Sequence, residues 1–322
     1  MTAEPGLIVS VSGIRGIVGQ SLTPAAVLAF ASALGTHTHG RRIVVSRDGR
    51  PSGTMLRHAI LAGLTAAGCE VYDIGVAPTP TVGLAVRQLQ AAGGIQITAS
   101  HNPAPWNGLK LFGPDGRVLS ASEGRKVQAR FESGDSLRVP WDALGTVQDY
   151  PKSEELHCER ILQLVDGPRI RAAGLRAFLD ANGGAGGPLG RRLLQAFAVD
   201  TVCRGCDADG RFLHEPEPTA ENLRDICPMV VAERADIGFA LDPDSDRLAL
   251  IDETGRYIGE ELTLALAVLF RLRRERGPVV INMSTSRVIE DIAATAGCAC
   301  HRSAVGEANV ADKMLEVGAL LG

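Results

Sequence analysis

Gly94-Ile-Gln-Ile-Thr-Ala-Ser-His-Asn-Pro103 changes character halfway along its length. Residues 94–98 are short, apolar and β-branched, bounded by Gly on one side and a polar loop on the other, which reads as a buried strand. The loop that follows carries Ser100, His101 and Asn102. Working outward, the same rhythm recurs. Residues 7–11, 43–46 and 71–74 read as strands. Between them lie helices: Thr23-Pro24 offers a side-chain cap followed by Pro at the first helical position, with Gly35 as the stop; Ser52 caps a helix running to Gly68; residues 81–91 form a third. Apolar strands separated by helices of about 10 to 16 residues predict a mostly parallel sheet covered on both faces.

The pattern restarts twice. A looser stretch at 120–153 holds one helix (121–132) and a polar connection, placing a boundary near 145. The second run has strands at 175–180, 199–203 and 236–241, a Gly-rich turn at 182–187, and a helix at 219–232. The third, after Tyr257, alternates helix 259–272, strand 279–283, helix 287–296, strand 298–303 and helix 307–315. The expected organisation is serial three-layer α/β/α domains with mostly parallel mixed sheets, over residues 1–145, 146–254 and 255–322. The third has two clear strands, too few for a sheet buried on both faces, so it is expected to be incomplete at Gly322.

Several function classes drop out. The 322 residues carry a net charge of −4 without a basic block, which argues against nucleic acid as a partner. No apolar run is long enough to span a bilayer, and Met1–Gly6 lacks a leader-like charged and apolar segment. Seven cysteines, an odd number scattered along the chain, suit reduced thiols in a cytoplasmic protein. Cys203 and Cys206 form one C-x-x-C, but Cys298 and Cys300 have the wrong spacing to complete a zinc site.

Two loops carry the chemistry. Ser100 sits beyond the carboxyl end of a strand, where open α/β sheets bind ligands. Within eleven positions the loop supplies a hydroxyl, a titratable ring (His101), an amide (Asn102) and a cation (Lys110). Such a set can accept a phosphoryl group and balance its charge; a capped polar turn is the plainer alternative. A nucleophile elbow of the G-x-S-x-G type does not fit. The second loop is Asp242-Pro-Asp-Ser-Asp-Arg247, after the apolar run 237–241. Carboxylates at every second position repel unless a cation sits among them, and hard oxygen ligands favour Mg²⁺ or Ca²⁺. Asp242, Asp244, Asp246 and Glu253 match four places of an EF-hand, yet Arg247 stands where that loop needs Gly, and 248–252 reads as a strand. Ser12-Gly-Ile-Arg15-Gly16 and Arg47-Asp-Gly-Arg50-Pro-Ser-Gly53 each place Arg beside Gly after a strand, a pairing suited to phosphate oxygens.

Together, Thr98-Ala-Ser-His-Asn-Pro103 and Asp242-Pro-Asp-Ser-Asp-Arg247 resemble the α-D-phosphohexomutase family. Gly75-Val-Ala-Pro-Thr-Pro80, Asn107–Lys110, His214-Glu-Pro-Glu-Pro218, Glu221-Asn-Leu223 and Val305-Gly306 add to the match. The resemblance implies that Ser100 carries the phosphoryl group and that Mg²⁺ is held by Asp242, Asp244, Asp246 and a phosphoserine oxygen. It implies that Arg15, His101, Lys110 and Arg247 line the reaction centre, and that Arg15, Arg47, Asn102 and Lys110 contact substrate. The implied partners are a hexose phosphate and a hexose 1,6-bisphosphate; glucosamine phosphate is the favoured sugar, with mannose or glucose phosphate as the alternative. Lys110 and His101 both remain candidates for general acid/base. Ser10-Val11-Ser12 departs from the usual Phe-Gly-Thr, and Pro243 from a frequent Gly. The family's sugar-reading loop and fourth domain are expected beyond Gly322, and the sequence fixes no oligomeric state.

Overall fold

The strand expected at 94–98 runs from Gly93 to Ile97 and is buried at every residue. In the computed structural model, which describes residues 6–322, it lies in the middle of a seven-stranded sheet. The strands are β1 (Ile8–Ser10), β2 (Gly13–Ile17), β3 (Ile43–Arg47), β4 (Val71–Val76), β5 (Gly93–Ile97), β6 (Trp106–Phe112) and β7 (Val147–Asp149), in the order β1-β2-β6-β5-β3-β4-β7. β5, β3, β4 and β7 are parallel, whereas β1, β2 and β6 pair antiparallel. Helices α1 (Pro24–His37), α2 (Ser52–Ala66), α3 (Thr79–Gln88) and α4 (Ala121–Ser133) cover it. Strand alternation decides which faces they meet. Ile43, Val45, Ile95 and Ile97 pack with Phe30 of α1, Leu56 and Ile60 of α2 and Val127 of α4. Val44 faces the other way, with Val82 and Val86 of α3. Fully burying each such side chain is worth about 1.5–3 kcal/mol, so β5 is a firm base for the loop that leaves it.

The structure corrects several expectations. α1 does not stop at Gly35 but continues to His37. A Cβ at Gly35 would lie 2.8 Å from the Ala67 Cβ, so this glycine serves close packing against the end of α2. Ser12–Gly16 is not a loop after the first strand: Gly13–Ile17 is itself a strand, closing a hairpin on β1 through the pair Ser10↔Gly13. Residues 106–110 likewise belong to a strand, β6. The first sheet also runs past residue 145, since β7 pairs with β4.

A second sheet holds β8 (Arg176–Asp180), β9 (Asp200–Arg204), β10 (Ile237–Leu241) and β11 (Leu248–Asp252), in the order β11-β10-β8-β9. With it go α5 (Ser153–Leu164), α6 (Gly167–Ala172), α7 (Gly186–Ala196) and α8 (Cys227–Ala232). The helix expected over 219–232 shrinks to its last turns. Asn222 donates its side-chain amide to the Glu217 carbonyl (2.8 Å) and its N–H to Thr219 Oγ1 (3.3 Å), giving the chain a local alternative to helix. Pro228, which has no N–H, fits only at the start of the new helix. β10 and β11 form a hairpin in the register Leu241↔Leu248. The acidic loop is therefore closed at Arg247, which rules out the EF-hand.

These two sheets and their helices make one compact unit ending at Arg256; a second runs from Tyr257 to Gly322. The latter has α9 (Glu260–Leu272), β12 (Val279–Asn282), α10 (Val288–Thr295), β13 (Cys300–Ser303) and α11 (Glu307–Val317). Its strands are parallel, and Leu321 adds to the free edge of β12, with Val280 N–H donating to its carbonyl (2.9 Å). No helix of the described residues is long and apolar enough to cross a membrane, and the cysteines are free thiols.

Candidate active site

Ser100 leaves the carboxyl end of β5 with φ 51°, a left-handed conformation that costs a non-glycine residue roughly 1–2 kcal/mol. A buried ring of bonds holds it there. Its N–H donates to Thr98 Oγ1 (2.8 Å), Thr98 Oγ1 donates to Asp48 Oδ2 (2.8 Å), and Arg50 Nε donates to the same Asp48 oxygen (3.1 Å). Arg50 then returns to the loop, donating to the carbonyls of Ser100 (2.8 Å), Asn102 (2.6 Å), Pro103 (3.0 Å) and Trp106 (3.1 Å). Arg50 is 1% exposed and Asp48 0%. The sequence reading offered this segment as phosphate-handling; the fold instead spends the Arg50 donors on the serine loop. Arg47 is also placed elsewhere. It donates to the Asp48 carbonyl (3.2 Å) and lines a separate groove with Arg57, Asp73 and Tyr150.

Burial lifts the Asp48 carboxyl to about 6, against the pull of Arg50. Between 3.8, its ordinary value, and about 6 the folded chain thus holds a proton that the unfolded chain has released. Stability falls with rising pH wherever the folded state binds more protons, so this group destabilises progressively across that window and adds no slope above it. Asp48→Asn is expected to flatten that part of the profile. Thermal midpoints of both proteins from about pH 4 to 7 test it; parallel slopes would place the effect elsewhere.

The acidic loop leaves the carboxyl end of β10 and faces Ser100. Asp242 and Asp244 are fully buried, while Asp246 is exposed. One carboxylate oxygen from each lies within 4.8 Å of the others. Ser100 Oγ donates to Asp242 Oδ2 at 3.2 Å and lies 3.2 Å from His101 Nδ1. Lys110 Nζ, reaching over from β6, donates to Asp246 Oδ2 (2.6 Å) and Asp244 Oδ2 (3.3 Å). Arg15 donates to Asn102 Oδ1 (2.9 Å), and the Arg247 side chain to Glu217 Oε1 (3.3 Å). Burial together with Asp244 and Asp246 pushes the Asp242 carboxyl well up. Burial works the same way on Asp244, but Lys110 and Thr79 hold it below the ordinary carboxylate range. Burial and Arg247 lower the His101 ring, and burial lowers Arg15.

Nine of the ten residues singled out from sequence thus gather around one cleft, Arg47 being the exception. The donor set suits a hard cation. Its oxygens are carboxylates, and Asp244 Oδ1 is buried without a hydrogen-bond partner among the described residues, an orphan that a metal ion would satisfy. The reading from sequence quoted, within longer motifs, the residues that make the cleft rigid but gave them no such role. Besides Asp48, Arg50 and Thr98 these include Thr79, whose hydroxyl donates to Asp244 Oδ2 (2.6 Å), and the Gly-rich turn. A Cβ at Gly184 would lie 2.7 Å from the Pro243 Cα, and one at Gly49 2.2 Å from the Gly183 carbonyl oxygen. That turn is therefore wedged between the acidic loop and the Arg50 loop. Pro78-Thr79-Pro80 signals a helix start in the sequence, but nothing local announces a partner 165 positions away.

Comparison with known proteins gives three matches in series: phosphoglucomutase/phosphomannomutase alpha/beta/alpha domain I over residues 6–138, domain II over 155–255 and domain III over 259–322. A "Probable phosphoglucosamine mutase" of Methanosarcina acetivorans is 36% identical over 312 residues, covering 97% of this chain and 69% of the relative. A "Phosphoglucomutase/phosphomannomutase" of Thermococcus kodakarensis is 36% identical over 327 residues, covering 98% and 71%. A crystal structure of a phosphoglucomutase/phosphomannomutase family protein from Burkholderia thailandensis superposes with a TM-score of 0.86 at 30% identity, over 98% of this chain and 71% of that one.

Proposed function

The chain belongs to the phosphoglucomutase/phosphomannomutase family of phosphohexomutases, and from that premise we propose that it moves a phosphoryl group on a hexose phosphate through Ser100. The observation that carries this reading is the meeting of the two loops: Ser100 Oγ stands 3.2 Å from Asp242 Oδ2 beside an unpartnered buried oxygen of Asp244. Asp242, Asp244 and Asp246 would hold Mg²⁺, with an oxygen of phosphorylated Ser100 completing the protein's share of ligands. Bound there, the ion would offset the negative charge of the phosphoryl oxygens.

The residues divide the remaining work. Ser100 bears the phosphoryl group; when a sugar hydroxyl attacks phosphorus, the new O–P bond forms as the Ser100 Oγ–P bond breaks. The proton of that hydroxyl goes to a base, and the departing serine oxygen takes up a proton from an acid, which restores the Ser100 hydroxyl. Attacking and leaving oxygens lie in line across phosphorus, so His101, with Nδ1 3.2 Å from Ser100 Oγ, is the better placed to protonate the departing serine oxygen. Lys110, held on two carboxylates, is the better placed to keep its charge. Arg15 orients Asn102, and Arg247 gives its backbone N–H to Asp242 Oδ1 (3.1 Å). The bisphosphate formed then reorients, and its other phosphate returns to Ser100. Positioning and charge neutralisation supply nearly all the catalysis in such transfers.

The name carried by the Methanosarcina relative favours glucosamine 6-phosphate and glucosamine 1-phosphate as the pair interconverted; that of the Thermococcus relative keeps mannose or glucose phosphate as a second reading. Incubation with a hexose 1,6-bisphosphate and Mg²⁺, followed by peptide mass spectrometry, tests the carrier. A phosphoryl adduct on Ser100 is expected, and its absence under all conditions would defeat the proposal. Turnover of the three hexose phosphates, compared side by side, then ranks the substrates. Asp244→Asn replaces the ion's orphan oxygen and is expected to weaken Mg²⁺ binding by roughly 100-fold. An unchanged calorimetric titration would move the metal away from this loop.

A further inference from the structure

We infer that Thr79 is a positioning residue that presents Asp244 to the ion through one oxygen only, and so biases the site toward Mg²⁺ over Ca²⁺. The inference rests on the metal-site reading above and adds to it a residue outside the acidic loop.

Thr79 grips Asp244 twice. Its N–H donates to the Asp244 carbonyl (2.8 Å), and its hydroxyl donates to Asp244 Oδ2 (2.6 Å). Thr79 is 3% exposed, so water does not compete for these bonds. Its own freedom is small. It is β-branched, which limits χ1, and it stands between Pro78 (φ −56°) and Pro80 at the start of α3, where a following proline narrows the backbone. The hydroxyl is therefore aimed before any ion arrives.

The consequence lies in how the two carboxylate oxygens are used. Oδ2 is taken by the Thr79 hydroxyl and Lys110, whereas Oδ1 has no hydrogen-bond partner among the described residues. A carboxylate fixed this way binds through a single oxygen. Mg²⁺ needs few protein ligands at strict octahedral positions, whereas Ca²⁺ takes six to eight oxygens and readily accepts both oxygens of one carboxylate. Without the hydroxyl, Oδ2 is held by Lys110 alone, at 3.3 Å, and Asp244 turns more easily about its Cβ–Cγ bond to offer both. The loss of orientation weakens the stricter ion more than the tolerant one.

Thr79→Val keeps the side-chain shape and the backbone bond while deleting the donor; Thr79→Ser restores the donor. Isothermal titration of the full chain with Mg²⁺ and, separately, Ca²⁺ gives an affinity ratio for each protein, measured where circular dichroism shows it folded. Thr79→Val is expected to lose roughly 10-fold or more in Mg²⁺ affinity and to narrow the Mg²⁺/Ca²⁺ ratio, with Thr79→Ser close to wild type. Thr79→Ala serves if the valine variant does not fold. A ratio unchanged in the donor-less variant overturns the role of Thr79 and leaves the metal site standing. Wild-type protein that binds neither ion overturns both. A ratio equally disturbed in Thr79→Ser assigns the effect to packing and also overturns it.

Discussion

Ser100→Ala yields a folded chain that takes up no phosphoryl group and interconverts no hexose phosphate. Removing the atom proposed to carry the group is expected to cost on the order of 10⁵-fold in turnover, as deletion of a covalent nucleophile does, or about 7 kcal/mol of barrier at 1.36 kcal/mol per tenfold. Folding is spared because the bonds that shape this turn are made by backbone. The Ser100 N–H still donates to Thr98 Oγ1, and its carbonyl still accepts from Arg50. Only the two side-chain contacts, to Asp242 Oδ2 and His101 Nδ1, are lost. The three aspartates remain, so Mg²⁺ titration distinguishes loss of the carrier from loss of the site. Turnover with a hexose phosphate plus its bisphosphate, and the intact mass after incubation, give the answer. Wild-type rates in the variant would take the serine out of the mechanism; an adduct on another residue would relocate the carrier.

The two loops that meet at the candidate site were legible in the sequence because their chemistry is local. Alternating carboxylates after an apolar strand, and a serine followed by a ring and an amide, are legible wherever they occur, and both proved to lie at carboxyl ends of strands. Elements whose form depends on distant partners were harder to read. Gly35 looked like a helix stop because a stop and a close-packing glycine are the same letter; only the approach of Ala67 separates them. Ser12–Gly16 looked like a loop because Gly and Ser are poor strand formers, yet pairing with β6 on one side and β1 on the other makes Gly13–Ile17 a strand. Thr79 as a donor to Asp244 was invisible for the same reason, lying 165 positions from it, whereas Lys110, 134 positions away, stood out because it follows the serine loop. Arg50 is the sharpest case. An Arg-Gly turn at the mouth of a sheet suggests anion binding, and no local feature says that its charge is already used.

Arg50→Met is expected to lower the stability of the unit holding the cleft by about 3–5 kcal/mol, the cost of leaving a buried charge without its partner. That corresponds to a fall of roughly 10 °C in thermal midpoint for a unit of this size. The substitution keeps much of the side chain's length and removes every donor. Asp48 stays buried without its ion pair, and four loop carbonyls lose the guanidinium at once. The guanidinium also stacks on the Phe212 ring, 4.9 Å from its centroid, so the contact between the serine loop and the second sheet loosens as well. Much of the loss comes from the orphaned carboxylate rather than the lost bonds, and that makes the argument testable by a double mutant. Asp48→Asn combined with Arg50→Met should be more stable than Arg50→Met alone, because the unpaired charge is gone; sums of the single effects would mean the two residues act independently. The double mutant should still fail to transfer phosphoryl at the wild-type rate, since the four Arg50 bonds that help hold the loop around Ser100 (φ 51°) against Asp242 are gone and the N–H bond to Thr98 is left to restrain the turn. Displacing reacting groups by about 1 Å can cost around 100-fold. A double mutant with restored stability and full turnover would show that the loop holds the serine in place without its buried arginine.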